Sequence, residues 1–157
     1  MSTLEFLGLV EGAPARSPLE RALAHADASL GIRDISLETG KIEVRGELPH
    51  VDAEVIRITP QRALLLCAAE RTRAVLDSLG HAFAVDMSGA LAGIELRGEQ
   101  LMRRLTDLDL DDLPAVGSVA HVPATVVRNG DTFRLFFPQE YGHYLAEVVV
   151  DTAEGLR

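Results

Sequence analysis

The chain has 157 residues, which is enough for about one folded domain. Hydrophobic residues make up 47% of it and charged residues 25%, and this globular composition excludes a disordered chain. Its 24 acidic residues against 15 basic ones give a net charge of −9, which would repel a phosphate backbone. Composition therefore excludes nucleic acid as a partner.

No apolar run approaches the ~20 residues that cross a bilayer. Residues 1–15 lack the basic start and the apolar stretch of a signal peptide. We therefore expect a cytoplasmic protein that does not contact membranes. Cys67 is the only cysteine, so an internal disulfide and a thiolate metal cage are excluded, and we expect it to be a small core residue.

Residues 1–16 predict an N-terminal arm ahead of a single domain that spans residues 17–157. The arm holds a short apolar cluster followed by the Gly/Ala/Pro stretch Gly12–Ala15. Clusters of apolar side chains are usually buried against another surface. Two alternatives for that surface are a partner chain and the domain's own sheet, to which the arm would add an edge strand. The residues predicted to contact a partner are Leu4, Phe6, Leu7, Leu9 and Val10.

The first elements are marked by capping and alternation. Ser17 and Pro18 carry a helix-start signal, which predicts a helix that ends at Gly31. Apolar and polar residues alternate on either side of Gly40, which predicts a hairpin over residues 35–44. The next stretch predicts strands over 55–58 and 63–67 and a helix over 68–79.

The rest of the chain continues this alternation of hairpins and helices. The Asn129-Gly130 pair is typical of a type I′ hairpin turn. Further predicted elements are strands over 83–88, 91–97, 118–122, 124–128 and 133–137, and helices that begin at Gly98 and Gln139. The pattern predicts an α+β fold with a mostly antiparallel sheet and helices packed on one side.

A weak internal repeat relates two β-β-α units, residues 54–80 and 124–151. At an offset of 71, Arg57 falls on Arg128 and the Leu64–Leu66 run falls on residues 135–137. We predict that the two units are related by a pseudo-two-fold. The predicted core residues are Ile56, Leu64, Leu66, Val75, Leu76, Leu79, Val85, Ile94, Leu96, Leu101, Leu105, Val126, Phe133, Leu135, Phe137, Tyr144, Leu145 and Val148.

Motifs for metal or cofactor chemistry are missing from the sequence. The acids from Asp107 to Asp112 lack the glycine and the bidentate glutamate of a calcium loop, so we expect a solvated turn. The five histidines fall at no zinc-ligand spacing. Gly89, Gly93 and Gly98 surround a predicted strand, whereas a dinucleotide fingerprint lies at a strand-to-helix turn. We therefore expect no metal, flavin or nicotinamide in this chain.

Two polar residues at a predicted strand end, Asp86 and Ser88, carry side chains capable of chemistry. Ser88 lacks the Gly-x-Ser-x-Gly elbow of an acyl-transfer nucleophile, so we interpret it as a turn hydroxyl. Asp86 precedes it by two residues, and we expect it to cap the following turn. No catalytic residue is predicted.

The segment 85–114, VDMSGALAGIELRGEQLMRRLTDLDLDDLP, resembles a strand-to-helix segment of the glycine cleavage T-protein superfamily. Asp86-Met87-Ser88 stands where those proteins carry Asp-Leu-Ser or Asp-Leu-Thr, and Ile94–Gly98 where they carry an apolar strand ending in Gly. Leu108-Asp109-Leu110 is similar to the Leu-Asp-Leu of the sarcosine oxidase gamma subunit family. Within the superfamily, the chain most resembles that family.

Three further segments carry the same resemblance, which covers about residues 17–152. They are Arg57–Pro60 with the strand that follows, Phe133–Phe137 with the helix that follows, and Ser17-Pro18-Leu19. The resemblance implies a fold similar to the folate-binding domain of the T-protein. In relatives that transfer one-carbon units, the Asp86 strand end lines the folate-facing mouth.

The resemblance implies a non-catalytic gamma subunit of a flavin-dependent, heterotetrameric sarcosine oxidase-like complex. Larger alpha and beta subunits would hold flavin, nicotinamide dinucleotide and tetrahydrofolate, and would oxidise an N-methyl amino acid such as sarcosine. The acidic strand of the one-carbon-transferring relatives has no counterpart here, because residues 118–128 contain no acid. A shortened stand-alone folate-binding or one-carbon-transfer protein is the alternative, and an orphan domain with an unrelated binding role also remains open.

Overall fold

The computed structural model describes residues 14–80 and 82–157. Within those ranges the strands are β1 (Ile32–Asp34), β2 (Thr39–Arg45), β3 (Glu54–Thr59), β4 (Arg62–Ala68), β5 (Phe83–Asp86), β6 (Leu91–Arg97), β7 (Ala115–Val119), β8 (Val122–Asn129) and β9 (Thr132–Pro138). The helices there are α1 (Glu20–Leu23), α2 (Thr72–Ser78), α3 (Glu99–Leu105) and α4 (Gly142–Glu154). The predicted α+β class is confirmed.

The strands form two antiparallel sheets. One has five strands in the order β1-β6-β9-β8-β7, and the other has four in the order β3-β4-β2-β5. The prediction of one sheet with helices on one side is therefore wrong in its count of sheets. Each sheet does carry its helices on one face, because the two sheets pack against each other through their remaining faces.

The two-sheet arrangement explains why strands β4 and β9 are apolar on both sides. Successive side chains on a strand point to opposite faces. Leu64 and Leu66 of β4 lie between the sheets, whereas Leu65 packs under α2. Phe136 of β9 likewise lies between the sheets, whereas Phe137 packs on the helical side. Both strands are thus buried on two faces, as continuous apolar runs require.

The layer between the sheets is small and partly polar. A bidentate ion pair crosses it from Arg134 of β9 to Glu54 of β3, with N–O distances of 2.9 and 2.6 Å. The guanidinium holds the pKa of the Glu54 carboxyl below its usual range. The apolar residues of this layer are Ile35, Ile56, Leu64, Leu66, Val127 and Phe136.

The helices cover the outer faces of the sheets. On the five-stranded sheet, Leu101 of α3 and Leu145 of α4 join the largest apolar cluster, together with Leu19 just before α1. On the four-stranded sheet, Val75 of α2 and Leu79 just after it pack on Ile42, Val44 and Leu65.

Strands β1 and β5 are exchanged between the sheets. β1 pairs with β6 of the five-stranded sheet, although β2, which follows it, belongs to the other sheet. β5 pairs with β2, although β6, which follows it, belongs to the five-stranded sheet. The predicted hairpin over residues 35–44 is therefore wrong, because the chain crosses between the sheets over residues 35–38 and Gly40, at the centre of the predicted turn, lies within β2.

The two predicted β-β-α units both form, in different sheets. Residues 54–78 give β3, β4 and α2, and residues 122–154 give β8, β9 and α4. A bulge between Arg57 and Thr59 lengthens β3 by one residue. The register therefore gives an offset of 71 on the first strand of each unit but 70 on the second. The pseudo-two-fold relation between the units stays a prediction.

Most predicted core residues are buried, and two are not. Val85 lies on the edge strand β5 and is 42% exposed, because Ala84, not Val85, faces α2. Tyr144 is 46% exposed, since the buried stripe of α4 runs through Leu145 and Val149. Leu76 and Val148 are partly buried.

Two element boundaries also differ from the sequence prediction. The helix predicted from Ser17 to Gly31 is broken into α1 and a short 3-10 turn over Ala28–Leu30. The strand predicted over 118–122 contains a turn instead, because Ala120 and His121 both have positive φ, at 47° and 67°. That turn joins β7 to β8.

Candidate functional site

A buried lysine lies at the crossing between the sheets. Lys41 is the only lysine of the chain, and its side chain is 0% exposed. Its ammonium donates hydrogen bonds to the carbonyl oxygens of Ser36, at 2.7 Å, and Thr39, at 2.8 Å. Burial lowers the pKa of Lys41 to about 8, although the nearby carboxylates of Asp86 and Asp34 act in the opposite direction.

Two identical turns flank this lysine. The Asp34 carboxylate accepts a hydrogen bond from the backbone N–H of Ser36 at 2.9 Å. The Asp86 carboxylate accepts the corresponding bond from the N–H of Ser88, also at 2.9 Å. Asp86 therefore caps the turn after its strand, as the sequence predicts.

The hydroxyls of Ser36 and Ser88 form hydrogen bonds that connect each exchanged strand to the other half of the chain. The Ser36 hydroxyl accepts a hydrogen bond from the N–H of Gly93, 3.1 Å away on β6. The Ser88 hydroxyl accepts the equivalent bond from the N–H of Lys41, 3.0 Å away on β2. The interpretation of Ser88 as a turn hydroxyl is thus confirmed.

The polar side chains around Lys41 hold the crossing between the two sheets in place. The Lys41 amine is enclosed, and none of the described surface cavities is lined by it. Its two hydrogen bonds attach the ammonium to the segment that crosses between the sheets. We name this group, comprising Asp34, Ser36, Lys41, Asp86 and Ser88, the polar centre.

Sequence reasoning missed Lys41, although a signal for the centre is present. Residues 34–36 read Asp-Ile-Ser and residues 86–88 read Asp-Met-Ser, 52 positions later. At the same offset, Ile-Glu-Val-Arg-Gly at 42–46 matches Ile-Glu-Leu-Arg-Gly at 94–98. This second repeat marks the paired turns and the strands that follow them.

The acidic stretch after α3 is held by an arginine. Asp109 accepts a hydrogen bond from the N–H of Asp111 at 3.0 Å. Arg128 donates to the Leu110 carbonyl at 3.0 Å and to the Asp111 carboxylate at 3.2 Å. Across residues 14–80 and 82–157, no three histidine, cysteine or acidic side chains gather as metal ligands would. The expected absence of a metal stays a prediction.

A shallow groove of about 440 Å³ runs beside the end of α3. Arg104, Thr106 and His121 contribute polar side chains to it. The Thr106 hydroxyl donates to the Ser118 carbonyl at 2.6 Å, which holds the groove floor to β7. The groove is therefore an open surface feature built on the turn between β7 and β8.

Two exposed tyrosines lie on α4 and on the residue before it. Tyr141 is 41% exposed and Tyr144 46%. The Tyr144 hydroxyl donates to the Ala120 carbonyl at 3.2 Å. The predicted partner-contact residues of the arm, Leu4 to Val10, lie outside the described residues.

Comparisons with known proteins place the fold but no family. No family profile matches the chain, and no curated protein matches it significantly. A chain of the heterotetrameric sarcosine oxidase from Corynebacterium sp. U-96 matches with a TM-score of 0.73 and 16% identity, over 90% of this chain and 95% of that chain. The regulatory subunit of aspartate kinase from Thermus thermophilus matches with a TM-score of 0.52 and 11% identity, over 78% and 97%.

The chain therefore shares its fold with a subunit of a heterotetrameric oxidase. At 16% and 11% identity, the two matches show the fold alone. Within the described ranges, no helix combines the length and the apolar character needed to span a membrane.

Proposed function

We propose that this chain is a non-catalytic accessory subunit, of the gamma type, in a flavin-dependent sarcosine oxidase-like complex. The observation that carries the proposal is the match at a TM-score of 0.73 over 90% of this chain and 95% of a heterotetramer subunit. A match that nearly spans both chains relates this protein to a whole subunit. The sequence resemblance to the gamma family supports the same assignment.

The contacts of the polar residues support an accessory role. The side chains of the polar centre form hydrogen bonds that cap two turns and attach the exchanged strands to their sheets. Arg128 forms an ion pair that holds the acidic loop after α3, and Arg134 forms an ion pair that joins the two sheets. These side chains are committed to structure, so the proposal assigns the chemistry to larger partner subunits.

The proposed complex works in the cytoplasm on an N-methyl amino acid. Its alpha and beta subunits would hold flavin, nicotinamide dinucleotide and tetrahydrofolate, and would convert sarcosine to glycine with tetrahydrofolate as the one-carbon acceptor. The isolated gamma-type chain would then be colourless. Stoichiometric flavin or zinc in the purified single chain would contradict this assignment.

Purification from the native host tests the proposal. A chromosomal affinity tag on this chain is expected to recover larger subunits, the visible absorbance of bound flavin, and sarcosine-dependent oxygen consumption. Recovery of a colourless chain without larger subunits would overturn the proposal.

The alternative, a shortened stand-alone folate-binding protein, predicts a different result. Tetrahydrofolate would bind the isolated chain in a calorimetric titration, and Asp86→Asn would weaken binding if this strand end faces the ligand. The accessory-subunit proposal expects no heat of binding in the same titration.

A further inference from the structure

Strand β5 presents two apolar side chains at the edge of the four-stranded sheet. Phe83 is 62% exposed and Val85 is 42% exposed. Val85 pairs in register with Glu43 of β2, which pairs with Leu64 of β4, so the two exposed side chains lie on the face directed at the other sheet. Among the described residues, the apolar cluster between the sheets includes no side chain of β5. The two side chains therefore extend beyond the layer that packs the sheets together.

The backbone of β5 has an unpaired side. The N–H of Met87 donates to the Lys41 carbonyl at 2.7 Å, so the backbone groups of Met87 and of Val85 point toward β2. In an antiparallel pair the intervening residues point the other way, which directs the N–H and C=O groups of Ala84 and Asp86 away from the sheet. Among the described strands, only β2 pairs with β5. We call residues 83–86 the β5 edge.

Other edge strands of the two sheets carry features that oppose the addition of a further strand, as exposed edges in native proteins usually do. Strand β3 has a bulge between Arg57 and Thr59. On β7, the Ser118 carbonyl accepts a hydrogen bond from the Thr106 hydroxyl at 2.6 Å. Neither feature has a counterpart in the described residues of the β5 edge.

Strand β1 occupies the equivalent edge of the five-stranded sheet and shows which side chains the fold accepts there. At the offset of 52 positions that relates the paired turns, Arg33 stands where β5 has Val85, and Gly31 stands where it has Phe83. Arg33 donates to Glu95, its partner on β6, at 3.1 Å. The equivalent edge is thus charged, so packing within the domain does not account for the apolar pair on β5.

Charged side chains of both signs border the apolar pair. Arg45 lies opposite Phe83 in register, and its Nε donates to Glu43 at 2.8 Å. Arg62 donates to the same carboxylate at 2.9 Å. Glu47 lines the groove of about 430 Å³ beside Phe83. The charges of these two arginines and two glutamates cancel, so the β5 edge has a neutral surround in a chain of net charge −9.

A second copy of this chain fits the β5 edge poorly. The strand has four residues, which span about 13 Å at the usual rise of a strand. Two such strands paired with each other form too short a contact to bury the about 800 Å² per partner of a standard interface. Two net charges of −9 would also repel each other. A segment of a larger partner, which other contacts also hold, meets neither obstacle.

We propose that the β5 edge accepts an extended segment of a larger partner subunit as an additional strand, and that this segment carries uncharged, apolar side chains at alternate positions. This inference rests on the proposed accessory function and names the surface through which it acts. The added strand exchanges backbone hydrogen bonds with Ala84 and Asp86, and its apolar side chains pack on Phe83 and Val85. In strand addition, backbone pairing supplies affinity and the alternate side chains supply specificity.

Hydrogen–deuterium exchange tests the backbone contacts directly. The chain is compared alone and in complex with the larger subunits purified with it, and mass spectrometry follows exchange in the peptide that spans residues 82–87. In the isolated chain, the N–H groups of Ala84 and Asp86 are expected to exchange rapidly, because they point to solvent. Assembly is expected to slow the exchange of about two amides in this peptide, since alternate residues of an edge strand pair with the added one.

Val85→Arg is the variant that blocks the edge. It copies Arg33, which stands at the equivalent position of β1, so the fold accommodates the side chain. A charged side chain on an edge strand opposes pairing with a further strand. The variant is expected to bind the larger subunits at least about tenfold more weakly, and Phe83→Ser/Val85→Ser is expected to have a similar effect through loss of the apolar contacts.

Tyr141→Ser/Val116→Ser is the matched control, because it also removes one exposed aromatic ring and one exposed valine. Tyr141, just ahead of α4, is 41% exposed, and Val116 on β7 is 48% exposed. This variant is expected to bind like the unaltered chain. All variants should unfold at the same denaturant midpoint as the unaltered chain, since the substituted side chains are exposed.

The outcomes separate this inference from the proposed function. Unchanged exchange over residues 82–87, or tight binding by Val85→Arg, in a preparation where the unaltered chain assembles, overturns the docking surface and leaves the accessory function standing. Failure of the unaltered chain to join any larger flavoprotein subunit overturns both. Slow exchange of this peptide in the isolated chain overturns a partner as the occupant: a dependence on protein concentration would assign the edge to a second copy, and its loss on deletion of residues 2–12 would assign the edge to the arm.

Discussion

Lys41 holds a positive charge away from water, and this makes the stability of the protein depend on pH. Its pKa is lowered to about 8 from 10.5 because its burial disfavours the ammonium. Between these values the unfolded chain binds more protons than the folded one. The free energy of unfolding therefore gains a contribution that rises with pH across this window, and below about pH 8 the full cost of burying the charge is present.

Replacement of Lys41 by methionine is expected to remove this dependence. The neutral amine keeps its two hydrogen bonds to Ser36 and Thr39, so the unaltered protein gains stability relative to Lys41→Met as the pH rises from about 8 to 10. The gain approaches at most about 1.4 kcal/mol per pH unit. Urea unfolding of both proteins across this range measures it, and a difference that is constant with pH would contradict the assignment.

Gly40 is required by the close approach of α2 to β2. A Cβ at this position would lie 2.1 Å from the Thr72 Oγ1 and 2.9 Å from the Cys67 Sγ. Gly40→Ala is therefore expected to lower the free energy of unfolding by about 1–3 kcal/mol. Addition of Thr72→Ala, which removes the nearest atom, should recover part of the loss.

Gly89→Ala is the control for this steric effect. A Cβ at Gly89 meets nothing within 4 Å, so its unfolding midpoint should stay close to that of the unaltered protein. Equal losses for Gly40→Ala and Gly89→Ala in chemical denaturation would show that backbone entropy, not the contact with Thr72, sets the effect.

Single residues differ in how far their sequence context reveals them. Leu96 and Phe137 follow from alternation, and both are fully buried. Tyr144 could not be placed, because helical period gives the width of an apolar arc but not which part the sheet covers. The burial of Lys41 was not predicted, because lysine is rarely buried. In the sequence, only the Asp-x-Ser repeat at residues 34–36 and 86–88 indicates the turns around it.

Among the elements, the neighbouring strands β6 and β9 both contribute fully buried side chains to the largest apolar cluster. Leu96 of β6 pairs with Phe133 of β9 in register, and Leu96 and Phe137 are both 0% exposed. Leu96→Ala or Phe137→Ala is expected to cost about 2–5 kcal/mol, because each leaves a cavity under α3 and α4. Chemical denaturation measures the loss.

Val116 on the edge strand β7 provides the comparison for these truncations. It is 48% exposed, so Val116→Ala is expected to change the free energy of unfolding by no more than about 0.5 kcal/mol. A comparable loss at Val116 and Leu96 would mean that the central strands are no better packed than the edge.

The β3-β4 and β8-β9 hairpins were predictable at the element scale, and their placement in different sheets was not. The apolar run Leu64–Cys67 indicates a buried strand. The same run is expected for a strand in a single sheet covered on both faces and for a strand in one of two stacked sheets, so the sequence does not distinguish them. Exchange of β1 and β5 depends on contacts between residues far apart along the chain, such as Gly93 with Ser36 and Lys41 with Ser88. Local pattern does not report such contacts.

At the scale of the whole molecule, removal of residues 2–12 separates assembly from folding. If the arm serves assembly, the melting temperature of the shortened chain is expected to stay within a few degrees of that of the full chain. Its binding to larger subunits is then expected to fail, because the sequence predicts that Leu4, Phe6, Leu7, Leu9 and Val10 contact a partner chain. Loss of several kcal/mol in the isolated chain, with assembly retained at low temperature, would instead assign the arm to the domain's own core.

Exchange of β1 and β5 also means that the chain, once cut between α2 and β5, becomes a two-component system. The first piece would carry β1, an edge strand of the sheet that the second piece builds, and the second would carry β5, an edge strand of the first sheet. Neither piece is expected to fold alone, whereas mixing them should restore native circular dichroism with a midpoint that rises with concentration. A cooperative unfolding transition of either isolated piece would show that the halves are complete by themselves. In the intact chain the covalent link keeps the two complementary pieces together, so their association does not depend on protein concentration.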